Sequence, residues 1–506
     1  MKKIKQILFL SIFIALFSGG FVNLFLSSDS MQNKSAISSI KTNSIINFKN
    51  ITTISDDHTY WNNDSSSYPS IATDNYGIIH VVWQDDTDGT WGTDTEIMYT
   101  SYSNSTGWSN ATVISDDENY WNNGSSLSPS IAVDNSGIIH VVWYDTTEGI
   151  GDNPFDYEIM YTSYTESTGW LNATVISDDE NHWNNEISAY PDIAIDLTGN
   201  IHVIWQDLTA GHWGTDFEIM YTSYSESTGW SNATVISDDL NDWNNDESRE
   251  PSIAVDNNGK VHVVWIDKTD GTWGIDDEIM YTSYSVSTGW LNATVISDDY
   301  TNWNNEASWR SDIAVDADGI VHVVWEDGTR GPWQDSSSGS EIFYKTYTEG
   351  SGWSNITVIS DDKTKWNIGF NSYPSIAVDK NKIVHVAWIG QSNGEWVNNV
   401  DDREIMYVSK YSSGWSNVTV ISDGYNSYYW NDDASSFPSV AVDENGVIHV
   451  AWQDETDGLW GTDKEIMYTS FSVVPPTSEG ISLGYSLIFF MIIGIASLTI
   501  YTKKKL

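Results

Sequence analysis

Short runs rich in Val, Ile, Thr, Tyr and Trp alternate with turn residues along most of the chain. In the stretch from Ile236 to Ser297, such runs are bounded by Gly, Asn, Asp and Ser, and none has the apolar spacing of a helix. The pattern therefore predicts four short β-strands in this stretch: Ser252–Asp256, Val261–Asp267, Glu278–Tyr284 and Ala293–Ser297.

The same stretch recurs along the chain. Its first residues, Ile-Ser-Asp, return at intervals of 60 to 63 residues and begin at Ile54, Ile114, Ile176, Ile236, Ile296, Ile359 and Ile421. One unit of four antiparallel strands cannot bury both of its faces, so neighbouring units must stack. We therefore predict an all-β fold, a seven-bladed β-propeller of four-stranded antiparallel blades.

The two ends of the repeat region complement each other. The last unit reaches Pro475 without a fourth strand, and an equivalent strand, Phe48–Ser55, precedes the first unit. Phe48 stands where the other units have Trp, as at Trp108. We predict that this N-terminal strand completes the last blade and closes the ring, which leaves no open sheet edge.

Outside the repeats the pattern of apolar residues changes. Residues 1–28 begin with lysines and continue as an apolar run, which is typical of a signal peptide or an N-terminal anchor. We expect a flexible leader at 29–46, the propeller at 47–473, a linker at 474–482, a transmembrane helix at 483–501 and a cytoplasmic tail at 502–506. This order predicts a single-pass protein of the cell surface with the propeller outside.

The C-terminal end also resembles a known class of segment. Pro475-Pro476, then Gly484-Tyr485-Ser486, an apolar run and the final Lys-Lys-Lys-Leu are similar to the C-terminal surface-sorting segments of some archaeal surface proteins. The resemblance covers only this end of the chain, and it implies the same surface location as the apolar segment does.

The charge balance is strongly acidic. The chain has 71 Asp and Glu against 22 Lys and Arg, for a net charge of −49. Such a surface repels nucleic acid, and it suits cations, cationic partners or a salty medium, although solvation alone explains it most simply. There is no cysteine, so disulfides do not hold the ring together. We expect a monomer.

Most of the 27 tryptophans repeat with the blades. Those in the second strand and in the turn before the fourth strand are expected to pack one blade against the next. Those in the two longer loops could also pack, but Trp beside Asn and Asp is suited to stacking on sugars, so we take them as candidate ligand residues. They are Trp61, Trp121, Trp183, Trp243 and Trp303 between blades, and Trp91, Trp213, Trp273 and Trp460 after the second strand.

A histidine occurs once in the second strand of every blade. A metal ligand or catalytic residue would tend to occur once in the chain. We therefore predict a buried hydrogen-bonding role for His80, His140, His202, His262, His322, His385 and His449.

The loop after the second strand carries spaced carboxylates. Calcium prefers several oxygen ligands from such a loop, although turn chemistry also favours Asp there. The candidate calcium ligands are Asp85, Asp88 and Asp94, then Asp267, Asp270 and Asp276, and finally Asp454, Asp457 and Asp463.

Each fourth strand begins with an Asn-x-Thr sequence. In a secreted chain these are acceptors for N-glycosylation, and Asn and Thr are also simply favourable at an edge strand. The candidate acceptors are Asn50, Asn110, Asn172, Asn232, Asn292, Asn355 and Asn417.

The run GIIHVVWQD, followed by EIMYTSYS and TGWSNATVISDD, resembles the repeats of sialidase-like propellers. The turn from Ser103 to Trp108 is similar to a degenerate Asp-box that lacks the Asp. The family's enzymes use three arginines, a Tyr–Glu pair and an Asp, so the resemblance implies four candidate arginines in this ring: Arg249, Arg310, Arg330 and Arg403.

A local ion-pair patch also accounts for these arginines. From the sequence we expect a non-catalytic binding module for a glycan or a partner surface protein. A sialidase-like glycoside hydrolase and a structural protein of the cell envelope are the alternatives.

Overall fold

The computed structural model describes residues 46–48, 51–56, 62, 64–116, 122–147, 157–178, 184, 186–211, 213–238, 244, 246–298, 304, 306–331, 339–360, 367–392, 403–422, 433–458 and 462–473. The predicted signal segment, nearly all of the leader, the linker and the predicted transmembrane helix at 483–501 lie outside these residues. Within the described ranges, no helix is long and apolar enough to cross a membrane.

The described residues form β-strands joined by turns and loops. The first two are β1 (Ile46–Phe48) and β2 (Thr52–Thr53). Blades one to three contain β3 (Ser66–Thr73), β4 (Ile79–Asp85), β5 (Glu96–Ser103), β6 (Gly107–Trp108), β7 (Thr112–Val113), β8 (Ser126–Val133), β9 (Ile139–Asp145), β10 (Glu158–Thr165), β11 (Gly169–Trp170), β12 (Thr174–Val175), β13 (Ser188–Ile195), β14 (Ile201–Asp207), β15 (Glu218–Ser225), β16 (Gly229–Trp230) and β17 (Thr234–Val235). Blades four and five contain β18 (Ser248–Val255), β19 (Val261–Asp267), β20 (Glu278–Ser285), β21 (Gly289–Trp290), β22 (Thr294–Val295), β23 (Ser308–Val315), β24 (Val321–Asp327), β25 (Glu341–Thr348), β26 (Gly352–Trp353) and β27 (Thr357–Val358). Blades six and seven contain β28 (Asn367–Val378), β29 (Val384–Ser392), β30 (Arg403–Tyr411), β31 (Gly414–Trp415), β32 (Thr419–Val420), β33 (Ser435–Val442), β34 (Val447–Asp454) and β35 (Glu465–Val473).

These strands form seven antiparallel sheets, which confirms the predicted all-β, seven-bladed propeller. Each sheet has three long strands and an outer strand split into two short pieces. In the fourth blade the predicted outer strand is shorter than expected, because β21 and β22 are separate pieces that pair with different parts of β20. The innermost strand is longer than predicted. It begins at Ser248 and continues through a bulge, where its register with β19 shifts between Arg249 and Ser252.

The N-terminal strands complete the last blade, as predicted. β1 pairs with the end of β35, and β2 pairs with Met467 and Tyr468 in the same strand. The backbone N–H of Ile54 donates to the carbonyl of Ile466 at 2.8 Å, and the Ser55 hydroxyl donates to Glu465. The edge of β35 is therefore paired, and the two ends of the repeat region are joined. We call β1, β2 and residues 54–56 the latch.

Seven apolar clusters hold the ring together, each shared by two consecutive blades. In the first blade, Val81 and Trp83 pack toward blade seven, whereas Val82 packs toward blade two. Neighbouring residues of a strand point to opposite faces, so β4 is buried on both sides. The cluster between blades seven and one includes Ile54, so the latch contributes to the core as well as to the sheet.

The repeated tryptophans have the predicted packing role. Those of the second strands, from Trp83 to Trp452, are fully buried. Those of the outer turns lie edge-on against a tyrosine of the preceding blade; Tyr99 and Trp170, for example, have ring centroids 5.0 Å apart. In blade six, Tyr407 lies edge-on against Phe471, which occupies the third-strand position of Tyr164 and pairs with Phe48 as Tyr164 pairs with Trp170.

The histidines are buried and hydrogen-bonded, as predicted. In each blade Nδ1 lies 2.6–2.9 Å from the hydroxyl of a tyrosine in the third strand. In the fourth blade, Nε2 of His262 faces a carboxylate oxygen of Asp256 at 4.0 Å. Burial lowers the pKa of His262 to about 4, and Lys260 adds to that shift. The imidazole is thus neutral in the folded state at neutral pH.

Removing residues 1–56 should weaken the ring, because the edge of β35 loses both of its partners and the cluster between blades seven and one loses Ile54. We expect a lower melting temperature and self-association in size-exclusion chromatography. A chain without residues 1–45 keeps the latch and serves as the control. Equal melting temperatures and monomeric behaviour for the two chains would contradict this closure.

Substituting His262→Gln should cost less stability at pH 5 than at pH 7.5. The wild-type histidine has a folded pKa of about 4 against 6.5 when unfolded, so its contribution is intact above 6.5 and falls as the pH drops toward 4. The difference in free energy of unfolding between wild type and variant should shrink by up to about 2 kcal/mol, measured by urea denaturation. Tyr281→Phe keeps the histidine, so its penalty should not shrink by this amount. A pH-independent penalty for His262→Gln would rule out this explanation.

Candidate functional site

A cavity of about 330 Å³ opens at the centre of the ring. Three successive residues from the innermost strand of every blade line it, such as Tyr68-Pro69-Ser70 in β3. These residues follow the loops between blades, so the cavity lies on the face that carries the longer loops. We call the first residue of each triplet a mouth residue, and the seven are Tyr68, Ser128, Tyr190, Glu250, Arg310, Tyr373 and Phe437.

All seven mouth residues have a left-handed backbone, with φ between 46° and 53°. This conformation is uncommon for residues other than glycine, and a following proline, present in six of the seven blades, disfavours helical conformations further. It costs on the order of 1–3 kcal/mol per residue, and such strain concentrates at functional sites. The bulge that contains the mouth residue interrupts the pairing of each inner strand, as between Ser67 and Ser70.

Three aromatic mouth residues form a continuous arc across blades six, seven and one. The ring centroids of Tyr373 and Phe437 are 4.3 Å apart, and those of Phe437 and Tyr68 are also 4.3 Å apart. Tyr68 remains 37% exposed, so the arc is open to solvent from the cavity. The arc offers aromatic surface to a ligand without rearrangement of the strands.

Arg310 extends the arc into blade five. Its guanidinium lies 4.0 Å from the centre of the Tyr373 ring, and Nη1 is 2.7 Å from a carboxylate oxygen of Glu326. Burial raises the pKa of Glu326, while the charge of Arg310 opposes that rise. Burial likewise raises the pKa of Glu250, the mouth residue of the preceding blade. The one arginine among the mouth residues is thus flanked by two carboxyl groups.

Two further carboxyl groups lie one step deeper in the channel. The Ser252 hydroxyl lies 3.1 Å from an oxygen of Asp192 and 3.0 Å from an oxygen of Asp312. Burial raises the pKa of Asp312 to about 6, and the charge of Asp192 adds to the rise. Each Asp also accepts a backbone N–H from a later blade, as Asp312 does from Ile376 at 2.8 Å. In the other blades Ser takes this position, for example Ser375, which accepts from Val440.

The candidate tryptophans within the described ranges do not line this cavity. Trp91, Trp213 and Trp273 are half-buried, and each indole N–H donates to a carbonyl within its own loop at 3.0–3.2 Å. The Trp91 ring covers Gly89, where any side chain would collide with it. Outside the described residues lie Trp61, Trp121, Trp183, Trp243, Trp303 and Trp460. A sugar-binding role for the loop tryptophans remains a prediction.

The candidate calcium ligands have different environments. The carboxylate of Asp85 is buried, and it accepts hydrogen bonds from Trp83 Nε1, Ser66 and Thr87. Asp267 and Asp454 occupy the same position in their blades and are bonded in the same way. Asp88, Asp270 and Asp457 are exposed, whereas Asp94, Asp276 and Asp463 are half-buried. Among the described residues, no three acidic or histidine side chains are arranged to hold a metal.

The glycosylation acceptors within the described ranges are all accessible. Asn110, Asn172, Asn232, Asn292, Asn355 and Asn417 are exposed, and Asn50 lies outside those ranges. Their exposure meets one requirement for modification. N-glycosylation itself remains a prediction.

The four candidate arginines occupy separate places. Arg249 pairs with Glu247 and lies over the Phe217 ring, Arg310 pairs with Glu326, and Arg330 lies 3.9 Å from Glu306. Arg403 is exposed at the start of β30. Of these four, only Arg310 lines the cavity. The geometry is that of local ion pairs, and the candidates do not form a cluster of three arginines in the cavity.

Sequence reasoning missed the other mouth residues and the pair Asp192 and Asp312. A signal for them exists in the repeats. The mouth position holds Tyr, Ser, Tyr, Glu, Arg, Tyr and Phe in successive units, whereas the Ile-Ala sequence that starts three residues later is nearly constant. Variation at one point of an otherwise uniform repeat marks residues that differ in role between blades.

The fold and this cavity define the chain as a seven-bladed β-propeller with a central site on the face of its longer loops. No protein-family model matches the sequence. No curated protein matches it either.

Solved structures do match over most of the chain. A Dyadobacter fermentans protein of unknown function is 11% identical, with a TM-score of 0.46, over 85% of this chain and 99% of that chain. An ulvan lyase of polysaccharide lyase family PL25 is 11% identical, with a TM-score of 0.49, over 80% of this chain and 94% of that one. The NanB sialidase of Streptococcus pneumoniae is 13% identical, with a TM-score of 0.41, over 84% and 70%. Sialidases and polysaccharide lyases are thus among the structural neighbours of this chain.

Substituting Arg310→Met should lower stability by about 1–3 kcal/mol, because Glu326 is only 5% exposed and would lose its charged partner, keeping only the hydrogen bond from Ser340. Arg310 itself is 34% exposed, so water reduces the effect. Urea denaturation at pH 8 is the measurement, and adding Glu326→Gln should restore most of the loss. Arg330→Met removes an exposed pair and should change little. An equal effect of the two single substitutions would show that the mouth ion pair has no structural role.

Proposed function

We propose that this protein is a non-catalytic binding module of the cell surface that binds a neutral glycan at the mouth of its central channel. The observation that carries this proposal is the open aromatic arc of Tyr373, Phe437 and Tyr68 around a concave cavity. Aromatic rings stack on the apolar faces of sugars, and nearby polar groups bond the hydroxyls. Glu250, Ser128 and the tyrosine hydroxyls supply such groups at the same rim.

The charge of the site favours a neutral sugar over an acidic one. Arg310 is engaged with Glu326 and lies beside Glu250, and Asp192 and Asp312 lie deeper in the same cavity. With a net charge of −49, the chain repels polyanions over a distance. An acidic glycan would therefore have to approach a negative surface to reach one partly neutralised arginine.

The surface location rests on the sequence. Residues 483–501 are 19 residues without a charge, and Lys503, Lys504 and Lys505 follow them. Such a segment can span a bilayer, and the lysines favour a cytoplasmic C-terminus. The propeller then lies outside the cell, where glycans and partner surface proteins occur.

A glycoside hydrolase is the second candidate, because Asp312 has a pKa of about 6 and shares the Ser252 hydroxyl with Asp192. A carboxyl group that retains its proton near neutral pH can serve as a general acid. Release of reducing sugar from a bound glycan, lost on Asp312→Asn, would favour the enzyme over the binding module.

The test of the binding module is a glycan array with the full-length protein, followed by calorimetry on the best ligand. Tyr373→Ala and Phe437→Ala should each weaken binding tenfold or more, since loss of about 1.4 kcal/mol of stacking corresponds to that factor. Tyr76→Ala is the matched control, because Tyr76 is 75% exposed in the tight turn between β3 and β4, at the other end of the inner strand. Folding of each variant is checked by its melting temperature.

Binding of neutral glycans that survives in Tyr76→Ala and falls in the arc variants would support the proposal. Preference for sialylated or sulfated glycans would contradict the charge argument. Binding that is equal in all three variants would place the site away from the channel mouth.

A further inference from the structure

The start of each third strand carries acidic residues that the propeller packing does not explain. In the first blade these are Glu96, the first residue of β5, and Asp94, which lies two residues before it in the preceding bend. Blade five differs, because Gly339 stands where the other blades have Asp. The equivalent described pairs are Asp216 with Glu218, Asp276 with Glu278, and Asp463 with Glu465.

The glutamate of each pair is fully buried and only half satisfied. Glu96 is 0% exposed, and its Oε2 accepts the hydroxyl of Ser115. Its Oε1 is buried without a hydrogen-bond partner, and so is Oδ2 of Asp94. The same two oxygens lack partners in the pairs that contain Glu218, Glu278 and Glu465. An orphaned acceptor at 0% exposure is costly, and it recurs in all four of these described pairs.

The charges that act on these glutamates are all negative. Glu96 is surrounded by Asp94, Asp116 at the end of the outer strand, and Asp145 of the next blade. A positive ion beside Glu96 would therefore have these three carboxylates as its charged neighbours.

A bound proton accounts for the site less well than a cation does. A proton on Oε2 of Glu96 would have the Ser115 hydroxyl oxygen as its acceptor, but it would still leave Oε1 of Glu96 and Oδ2 of Asp94 without a hydrogen-bond partner. A hard divalent cation would satisfy both oxygens at once, and calcium accepts such flexible sets of six to eight oxygens.

We propose that the Asp-x-Glu pairs of the third strands bind divalent cations, calcium above all, one in each blade junction that carries the pair. The third carboxylate is the Asp that follows the outer strand, Asp116 in the first junction and Asp56 in the last. Backbone carbonyls and water complete the coordination. Since three such side chains do not yet converge within the described residues, cation binding must draw the carboxylates together.

This ligand set differs from the one that the loop spacing suggested. It keeps Asp94, Asp276 and Asp463, and it excludes Asp85 and its equivalents, whose oxygens already accept hydrogen bonds. The last junction has a further consequence. Asp56 belongs to the latch and Glu465 to β35, so a cation there would fasten the closure of the ring.

The experiment measures calcium bound to the full-length protein after removal of metals with EDTA, by equilibrium dialysis and elemental analysis at pH 7.5. We expect at least four calcium ions per chain, one for each described pair, and a higher melting temperature in calcium than in EDTA. The rise should be smaller at pH 5, because protons compete for the same carboxylates. Magnesium at the same concentration tests whether the site selects the larger ion.

Glu278→Gln should reduce the bound calcium by one ion per chain. Glu341→Gln is the matched control, because its blade has Gly339 in place of the Asp, and it should leave the stoichiometry unchanged. Asp276→Asn provides a second variant at a half-buried position, should Glu278→Gln fail to fold.

Fewer than one calcium ion per chain, or the same stoichiometry in Glu278→Gln, Asp276→Asn and wild type, would overturn the proposal. So would a gain in melting temperature for Glu278→Gln in EDTA equal to that produced by calcium in the wild type, because a buried proton would then account for the site.

Discussion

The structure depends on burying both faces of every blade. Val82 packs toward one neighbour, and Val81 and Trp83 pack toward the other, so the second strand of a blade has no solvent-facing side. A sheet of this composition is not stable alone, because either face would expose a large apolar area. Closing the ring removes both terminal faces, and pairing β1 and β2 with β35 removes the last free edge. The latch is thus a requirement of the packing.

Buried polar groups repeat with the same period as the apolar core. Each of the seven repeated histidines has its tyrosine, and each Asp equivalent to Asp85 accepts the indole N–H of the buried tryptophan two residues earlier. These networks satisfy the polar atoms that a tightly packed interface would otherwise leave unpaired. They also explain part of the acidic composition, since a share of the carboxylates lies inside the ring as hydrogen-bond acceptors.

Departures from the repeat lie where the blades converge. The backbone at the seven mouth positions is the same, left-handed and strained, yet the side chains differ from blade to blade. A symmetric backbone thereby presents an asymmetric surface, with the continuous arc of Tyr373, Phe437 and Tyr68 on one side and Ser128, Tyr190 and Glu250 on the other. The substitution of Asp for Ser at 192 and 312 breaks the symmetry again, deeper in the channel.

The sequence by itself determined the strands, the number of blades, the complementary ends and the buried histidines. All of these follow from local periodicity and from counting repeats, which need no knowledge of distances. The bulge at Glu250 and the split of the outer strand could not be predicted from the sequence pattern, because tertiary packing sets both. Only the tertiary structure could bring together Phe437 and Tyr68, which are far apart in the chain and belong to neighbouring blades of the closed ring. Asp85 and Asp94 are equally suitable metal ligands by their spacing in the sequence. In the folded chain, however, Asp85 accepts hydrogen bonds from Trp83 and Ser66, whereas Oδ2 of Asp94 has no hydrogen-bond partner. Spacing along the chain indicates which residues can come together, whereas hydrogen bonds and exposure in the folded state decide which of them remain available to bind a ligand.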